Sequence, residues 1–347
     1  METYLKILGN QISSKDSRLL LKQIHEIIDT MGVTPQSHQL FPGAHPVTLL
    51  QKNIDVLLEE DYYVCEKSDG IRLMLYIFTK DNITRGFFFD RKNIFYHIQL
   101  PFPILIDTLL DGEFFIDIVN EKKYLVFSIF DTLIYNGKNY QSEKLIDRLG
   151  IANKFQKELC TYWSQISPPF KITVKQMYKS YGFYQVYKEA YKLHHGNDGL
   201  IFTPVNNKYI PFSNEMKIYK WKPPHLNTVD FLLCPLNSGI YKLQCYGKQG
   251  SLITFDYFIP EEDNSEYNNS IGEFFFDEKR ETCDVMDDYS IYEGSWSLLK
   301  IRRDKTTPNS FKIVNNILIS IKENLTFKDL EKYYEPMCKN WKQRNKI

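Results

Sequence analysis

Between Tyr62 and Phe130 the sequence consists of short runs of β-branched and aromatic residues, and this pattern limits the possible folds more than any other feature. The runs are Y-Y-V-C, I-R-L-M-L-Y-I-F, G-F-F-F-D, F-F-I-D-I-V and K-Y-L-V-F-S-I-F, and turn residues such as Asp81-Asn82 separate them. Such runs are typical of strands joined by tight turns. The region is therefore predicted to form an antiparallel β domain.

Helices are predicted on both sides of this region. Apolar residues recur at helical spacing between Asp16 and Met31. Further helices are predicted at Val47–Leu58, Glu143–Leu159 and Tyr184–His194, and a helical tail is predicted after Phe311. A second strand-rich stretch begins at Thr228 and reads as a small separate β-barrel. The pattern predicts an α+β fold with about two domains.

Composition excludes several classes of protein. Lys and Arg number 43 and Asp and Glu number 43, so the net charge is zero and a broad basic coat for nucleic acid is excluded, although a local basic cleft is not. None of the six cysteines forms a C-x-x-C pair, which fits neither a disulfide framework nor a zinc site. No apolar run is long enough to span a membrane and no signal-peptide pattern is present, so an intracellular protein is expected.

The segment E-K-S-D-G-I-R, from Glu66 to Arg72, contains the strongest candidate for a catalytic residue. Asp-Gly is typical of a tight turn, so one interpretation is the corner of a β-hairpin. The other makes Lys67 a nucleophile, because a lysine amine attacks only in its neutral form, which nearby cations or desolvation favour. K-x-D-G alone does not decide between the two.

A pair of lysines follows in M-K-I-Y-K-W-K-P. Lys220 and Lys222 are two residues apart on a predicted strand, so both side chains are expected on one face. Two ammonium groups directed into one pocket repel each other unless a polyanion lies between them. The alternative is a solvated strand face with Tyr219 and Trp221 in the core.

Three further segments contain residue types that a nucleotide requires. Glu113 follows a second predicted Asp-Gly turn in L-D-G-E-F-F, and a carboxylate suits a ribose hydroxyl or a metal ion. Asp198 precedes a predicted strand in H-G-N-D-G-L-I-F-T-P, and basic residues surround Asp304 in K-I-R-R-D-K-T-T-P-N. Each segment alone could be a turn or a solvated face, but their joint occurrence in this order favours nucleotide binding.

These segments, in this order, resemble those of the covalent nucleotidyltransferases, and specifically the eukaryotic mRNA-capping guanylyltransferases. F-P-G-A-H-P-V-T, from Phe41, is similar to the F-P-G-x-Q-P-V-S segment of that family. D-G-L-I-F-T-P, K-W-K-P-P-H-L-N-T-V-D-F and I-R-R-D-K-T-T-P-N are close to capping-enzyme forms, and the resemblance extends to about Asn309. Departures are His45 in place of Gln, Ser68 in place of Thr and Lys300 in place of Arg, so Lys300 is not assigned a catalytic role.

The resemblance implies an α+β fold in which antiparallel sheets flanked by helices form a nucleotidyltransferase domain over residues 1–226. It implies an OB-fold β-barrel domain carrying the R-x-D-K motif over residues 227–318. A helical segment over residues 319–347 is expected to pack back on the first domain.

The resemblance also implies a role for each motif residue. Lys67 would carry GMP through a P–N bond, with Glu66 beside it. The ribose and base contacts are expected from Arg72, Arg91, Glu113, Phe130 and Lys175, with Phe130 stacking on guanine and Lys175 contacting its O6. The phosphate contacts are expected from Asp198, Lys220, Lys222, Arg302, Asp304 and Lys305, with Asp198 also a candidate metal ligand.

The reaction that the resemblance implies is the transfer of GMP from GTP, through a lysyl-N-GMP intermediate, to the 5′-diphosphate end of nascent RNA to form a GpppN cap. Mg²⁺ or Mn²⁺ is the expected cofactor. A separate RNA 5′-triphosphatase and the phosphorylated tail of RNA polymerase II are the expected partners, in the nucleus, with no membrane. Two alternatives stay open: an ATP-dependent polynucleotide ligase with the same lysine, and an inactive scaffold of the same fold.

Overall fold

A computed structural model describes residues 2–33, 41–236, 239–262, 264–283 and 291–346. In the segment P-Q-S-H-Q-L-F-P-G-A-H-P, which begins at Pro35, residues 35–40 lie outside these ranges. The chain divides into two compact units. Unit 1 consists of Met1–Val47, Asn53–Trp221 and Tyr333–Ile347, and unit 2 consists of Thr48–Lys52 and Lys222–Lys332.

Helices in the described residues are mostly short. They are α1 (Glu2–Leu8), α2 (Ser14–Ile27), α3 (Ile54–Glu59), α4 (Leu145–Tyr162), α5 (Phe183–Glu189), α6 (Phe311–Glu323), α7 (Phe327–Glu331) and α8 (Tyr334–Arg344). Six single turns of 3₁₀-helix lie at Gln51–Asn53, Ser180–Gly182, Ala190–Lys192, Pro224–Leu226, Lys248–Gly250 and Ser265–Tyr267. Within the described ranges no helix is both long and apolar enough to span a membrane.

Strands in the described residues form three sheets. Those up to Trp221 are β1 (Asn10–Gln11), β2 (Val47–Thr48), β3 (Tyr62–Ser68), β4 (Ile71–Lys80), β5 (Ile83–Phe89), β6 (Phe95–Ile98), β7 (Thr108–Val119), β8 (Lys122–Tyr135), β9 (Lys138–Asn139), β10 (Phe170–Val174), β11 (Tyr178–Lys179), β12 (Asn197–Pro204) and β13 (Tyr219–Trp221). Those after it are β14 (Thr228–Pro235), β15 (Tyr241–Tyr246), β16 (Leu252–Phe258), β17 (Ile271–Cys283) and β18 (Ile291–Ile301).

The first sheet has the order β1-β6-β5-β4-β7-β8-β10, and β9 pairs with the free end of β8. It is antiparallel as predicted, except that β10 runs parallel to β8. Both faces are covered: Leu73 and Leu75 of β4 lie in a core with α1 and α4, whereas Met74 and Tyr76 lie in a second core with α2. Burial on both faces explains why β4 is apolar without a break from Leu73 to Phe78.

The second sheet has the order β11-β3-β12-β13-β2 and carries Lys67 near the end of β3. Helix α5 packs against β3, and the ring of Tyr187 on that helix lies 5.4 Å from Trp221 of β13. Helix α8 also contacts β3. The strand is therefore flanked by α5, α8 and the edge strand β11. Trp341 of α8 stacks on Tyr63 at 6.0 Å between ring centroids, and Arg344 donates to Asp61 at 2.8 Å.

Unit 2 contains a five-stranded antiparallel sheet in the order β16-β15-β14-β17-β18. Phe231 and Trp296 meet in its core at 5.2 Å between ring centroids, and Val314 of α6 is buried there too. Among the residues described in this unit no ladder joins β16 to β18, so the sheet is a partly open barrel of the OB type.

Two expected features differ in detail. The helix predicted at Val47–Leu58 is a two-residue strand, a turn of 3₁₀-helix and the short α3. The physical reason is sheet pairing at Val47, whose backbone N–H donates to the carbonyl of Ile218 at 2.9 Å. The expected boundary between residues 318 and 319 falls inside α6. Helices α6 and α7 belong to unit 2, and within the C-terminal part of the chain the return to unit 1 begins at Tyr333.

A buried ion pair fixes α4 to the first sheet. Arg148 of α4 donates to both carboxylate oxygens of Asp131 on β8, at 2.6 and 3.0 Å, and to the carbonyl of Asn207 at 3.0 Å. Burial raises the pKa of the Asp131 carboxyl even though the charge of Arg148 lowers it. Loss of the arginine would therefore leave a carboxyl group in the core without its cation.

We expect Arg148→Met to lower the free energy of unfolding of unit 1 by about 3–5 kcal/mol, because it leaves Asp131 buried without its partner. Urea unfolding at pH 7 measures the loss. Lys154→Met is the matched control, since Lys154 lies on the same helix with its side chain 58% exposed in a surface ion pair. An equal effect of the two substitutions would contradict the role assigned to the buried pair.

Candidate active site

The E-K-S-D-G-I-R segment is not the corner of a hairpin. Strand β3, which ends at Ser68, belongs to the second sheet, whereas β4, which begins at Ile71, belongs to the first. The Asp-Gly turn is therefore the point where the chain crosses between the two sheets. A Cβ on Gly70 would lie 2.4 Å from the carbonyl oxygen of Phe114, so glycine is required there. The crossover places Lys67 where the ends of both sheets meet.

The ammonium group of Lys67 donates to Oδ1 of Asp198 at 2.6 Å. The β3–β12 ladder shifts register between Asn197 and Leu200, so Asp198 lies in a bulge that turns its carboxylate toward Lys67. The two side chains are 22% and 23% exposed. The predicted nucleophile is thus paired with the predicted metal ligand and still open to a substrate.

Glu66 and Lys175 form a second pair beside Lys67. The Lys175 ammonium donates to Oε1 of Glu66 and, at 2.6 Å, to the Ser68 hydroxyl. Burial raises the pKa of the Glu66 carboxyl, but its hydrogen bond with His195 and the charge of Lys175 outweigh burial and lower it. The backbone N–H of Lys175 donates to the carbonyl of Ile129 at 2.7 Å, so this lysine lies next to Phe130.

Arg72 is buried and held from several sides. It donates to both oxygens of Asp111 on β7, at 2.9 and 2.5 Å, and to the carbonyl of Ala44 at 2.6 Å. The Asp111 carboxylate also accepts from the Tyr209 hydroxyl at 2.5 Å. The charge of Asp111 outweighs burial and raises the pKa of the Arg72 guanidinium. Most of its donors are therefore already engaged within the protein.

Two rings flank this guanidinium. The Arg72 Cζ atom lies 5.4 Å from the ring centroid of Phe41 and 5.4 Å from that of Phe130. Phe130 is the extra residue of a bulge in the β7–β8 ladder, where Asp111 pairs with Asp131 and Gly112 with Ile129, and its ring is half-buried. In F-P-G-A-H-P, a Cβ on Gly43 would lie 2.7 Å from an Arg72 nitrogen, which explains the small residue there.

Glu113 lies directly opposite Arg72 in the β4–β7 ladder. The predicted turn before it is wrong, because Asp111 and Gly112 lie within the long strand β7. Burial raises the pKa of the Glu113 carboxyl to about 7 although Arg72, Arg91, Lys67 and Lys175 all lower it. Arg91 is exposed in the turn after β5.

Lys220 lies on β13 opposite Ile201 of β12, which in turn lies opposite Cys65 of β3. Directly opposed residues share a face of the sheet, so Lys220 is on the face that carries Lys67, two strands and about 10 Å away. The strand ends at Trp221, and Lys222 is the first residue of the longer segment of unit 2.

Unit 2 holds the R-x-D-K residues in a cluster of its own. Arg302 donates to both oxygens of Asp304, at 2.9 and 2.7 Å, and to Asp230 at 3.2 Å, and Lys305 donates to the other oxygen of Asp230. The hydrogen bonds from Arg302 lower the pKa of the Asp304 carboxyl. Glu273 also contacts Arg302, at 3.4 Å, and Lys300, at 3.3 Å.

Sequence reasoning missed several hydrogen-bonding partners of the candidate residues in both units. They are Asp111, Asp117, His195, Tyr209, Asp230 and Glu273. Asp230 carried a usable signal, because it is a single charged residue within the apolar strand T-V-D-F-L-L and is 6% exposed. Tyr209 carried no signal in the sequence, since 98 residues separate it from its partner Asp111.

Family models match nearly the whole chain. The model for the mRNA capping enzyme catalytic domain matches residues 3–224, and the model for its C-terminal domain matches residues 226–331. The chain belongs to the mRNA-capping enzyme family. It is a nucleotidyltransferase of that family, with the predicted α+β fold.

Relatives within the family include fungal and animal proteins. The mRNA-capping enzyme subunit alpha of Schizosaccharomyces pombe is 33% identical over 91% of this chain and 84% of its own length, and that of Saccharomyces cerevisiae is 27% identical over 90% and 82%. The mRNA-capping enzyme of Danio rerio is 28% identical over 88% of this chain and 51% of its own length. A mycobacterial DNA ligase D structure matches 77% of the chain at 15% identity, and its TM-score of 0.39 carries no weight in choosing between capping enzyme and ligase.

The residues at Lys67 fit a divalent cation that arrives with a nucleotide. Mg²⁺ is commonly bound by one or two carboxylates together with substrate phosphates and water. Asp198 supplies one such carboxylate near the start of β12, where its side chain is partly exposed. The described residues contain no cluster of three or more acidic, histidine or cysteine side chains that would hold the ion without substrate.

We expect Glu113→Gln to stabilise unit 1 above pH 7. The folded state raises this carboxyl's pKa from 4.5 to about 7, so it binds the proton more tightly than the unfolded chain does. Stability is therefore lost as pH rises through this interval, and the amide, which carries no charge, avoids about 1–3 kcal/mol of that loss. Urea unfolding at pH 4 and pH 8 measures the difference, with the exposed Glu26→Gln as control. A gain of the same size at both pH values would contradict the assignment.

Proposed function

We propose that this chain is an mRNA guanylyltransferase that transfers GMP from GTP to the 5′-diphosphate end of RNA through a lysyl-N-GMP intermediate. The observation that carries the proposal is Lys67, which is partly exposed and is bonded to Asp198. Its charge and that of Lys175 both act on Glu113, and Lys175 lies next to Phe130. A reactive amine beside an aromatic ring, a base-edge donor and a carboxylate is what covalent capture of a nucleotide requires.

In the first step, the Lys67 ammonium gives a proton to Asp198, whose Oδ1 lies 2.6 Å from Nζ. The neutral amine attacks the α-phosphorus of GTP, a P–N bond forms with release of a second N–H proton to water, and the P–O bond to the β-phosphate breaks to release pyrophosphate. In the second step, a terminal oxygen of the RNA 5′-diphosphate attacks the same phosphorus. The P–N bond breaks, and the Lys67 nitrogen regains both protons.

We assign the remaining residues by charge and position. Lys220 and Lys222 bind the α-phosphate, while Arg302, Asp304 and Lys305 of unit 2 bind and orient the pyrophosphate that leaves. Phe130 stacks on guanine, and Glu113 and Arg91 contact the ribose. Arg72 lies between the rings of Phe41 and Phe130, and most of its donors are engaged with Asp111 and Ala44, so its main role is to hold the ribose side of the site in shape.

Lys175 selects the base. Its ammonium group can only donate hydrogen bonds, so it fits the keto O6 of guanine and opposes the amino group of adenine at the same position. This is the chemical reason to favour GTP over the ATP of a polynucleotide ligase. An inactive scaffold would have no need of a buried lysine that donates hydrogen bonds to both Glu66 and Ser68 beside an aromatic ring.

Asp198 and the nucleotide phosphates would hold Mg²⁺ or Mn²⁺, which neutralises charge on the phosphates when bound. A separate RNA triphosphatase would supply the diphosphate end, and the word subunit in the names of the fungal relatives supports such a partner. Nuclear localisation and binding to the phosphorylated tail of RNA polymerase II follow from the same proposal.

Incubation with α-labelled GTP and Mg²⁺, followed by a denaturing gel, tests the proposal. We expect label to stay on the protein with GTP, to be much weaker with ATP and to be absent with a chelator. The bond should resist alkali and break in acid, as expected of a P–N linkage. Lys67→Ala should abolish labelling, and Lys171→Ala, an exposed lysine of the same unit, should retain it.

Label from ATP but not GTP would favour the ligase. Labelling that survives Lys67→Ala would exclude this nucleophile. Transfer of the label from isolated protein to RNA with a 5′-diphosphate, but not to RNA with a 5′-monophosphate, tests the second step.

A further inference from the structure

His195 lies between two carboxylates on different strands. Its Nδ1 atom is 3.0 Å from Oδ1 of Asp117 on β7, and its Nε2 atom is 3.3 Å from Oε1 of Glu66 on β3. The side chain is 9% exposed, and its ring packs against Phe115 with 4.1 Å between centroids. Neither the motif roles nor the proposed chemistry uses this histidine.

The pairing defines the charge of the ring. A carboxylate only accepts hydrogen bonds, and a neutral imidazole has only one N–H to donate. Either the ring carries protons on both nitrogens or one of the two carboxyl groups is protonated. Glu66 is held ionised by its partners, which lower its pKa, and the side chain of Asp117 is 29% exposed to water. The arrangement therefore fits an imidazolium that donates to both.

Glu66 is shared between two cations. The same Oε1 atom accepts from His195 and from the Lys175 ammonium, and Phe115 packs against both, with the Lys175 Nζ atom 5.8 Å from its ring centroid. Without the imidazolium, the whole charge of Glu66 would fall on Lys175 and hold it away from the base. With it, part of that charge is already neutralised.

We propose that His195 is a positioning residue for nucleotide choice: with Asp117 it shares the charge of Glu66 and so leaves the Lys175 ammonium available for the guanine edge. The inference rests on the proposed function, because it assigns Lys175 to the base. It adds a second layer of residues, Asp117 and His195, that acts on specificity without touching the nucleotide.

The charged and titratable groups that face the ring come from every element around it. They are Glu66 on β3, Asp117 on β7 and Lys175 after β10. Glu113 titrates near neutral pH two residues before Phe115 on β7, but it is unchanged in every variant below. If the charge of this ring is removed, Glu66 binds Lys175 more tightly, because both cations share its Oε1 atom. Preference for GTP over ATP should then fall.

His195→Gln tests the proposal, because the glutamine amide can still donate toward Glu66 but carries no charge. The readout is the ratio of kcat/KM for lysine labelling by GTP to that by ATP, measured from pH 6 to pH 9. We expect the ratio to fall about tenfold at pH 7, mainly through a higher KM for GTP. Asp117→Asn should lower the ratio in the same direction, since it removes the carboxylate that binds the ring on its other side.

His194→Asn is the matched control, because His194 is the exposed neighbour and should keep the wild-type ratio and pH profile. Melting temperatures show that each variant is folded. An equal loss of activity with both nucleotides, or an unchanged ratio in folded His195→Gln, would overturn the inference and leave His195 a structural residue. Wild-type protein labelled by ATP in preference to GTP would instead overturn the proposed function, so the two failures are distinct.

Discussion

The ion pair between Arg72 and Asp111 is the constraint on which the proposed nucleotide site depends. It is buried, bidentate and shared with Tyr209 and the carbonyl of Ala44, so it joins four parts of the chain that are far apart in sequence. A buried charge is tolerated when its partners leave no donor or acceptor unsatisfied. Arg72 can therefore be buried only if three parts of the chain keep their relative positions. These are the F-P-G-A-H-P segment, strand β4 and strand β7.

A second pair lies directly beside the first. Asp131 is the cross-strand neighbour of Asp111, and Arg148 neutralises it. Two carboxylates at opposed positions would repel each other without their two arginines. The bulge that follows this row puts Phe130 at the pocket, so the electrostatics of the core and the stacking surface for a base are one arrangement.

The sequence was sufficient to predict the family and the class of the fold, and the chemistry of the single motifs stays a prediction. Lys67, Asp198, Glu113 and Arg302 carry short local patterns whose residue types already indicate phosphate and ribose chemistry. The partners of these residues were not predictable, because Asp111 and Tyr209, or Asp230 and Lys305, meet only through tertiary structure. Asp-Gly pairs were misleading for a physical reason: the same dipeptide forms a crossover at Asp69 and lies within a strand at Asp111.

The order of segments in unit 1 has a consequence for biosynthesis. Its first and second segments are made before unit 2, but its last, which carries Trp341 and Arg344, is made after residue 332. Unit 2 is almost continuous in sequence and can finish its core while the chain is still being synthesised. The flank of β3 at Asp61 and Tyr63, only a few residues before Lys67, stays open until the final helix leaves the ribosome. The strand that bears the nucleophile is thus among the last parts of the molecule to be covered.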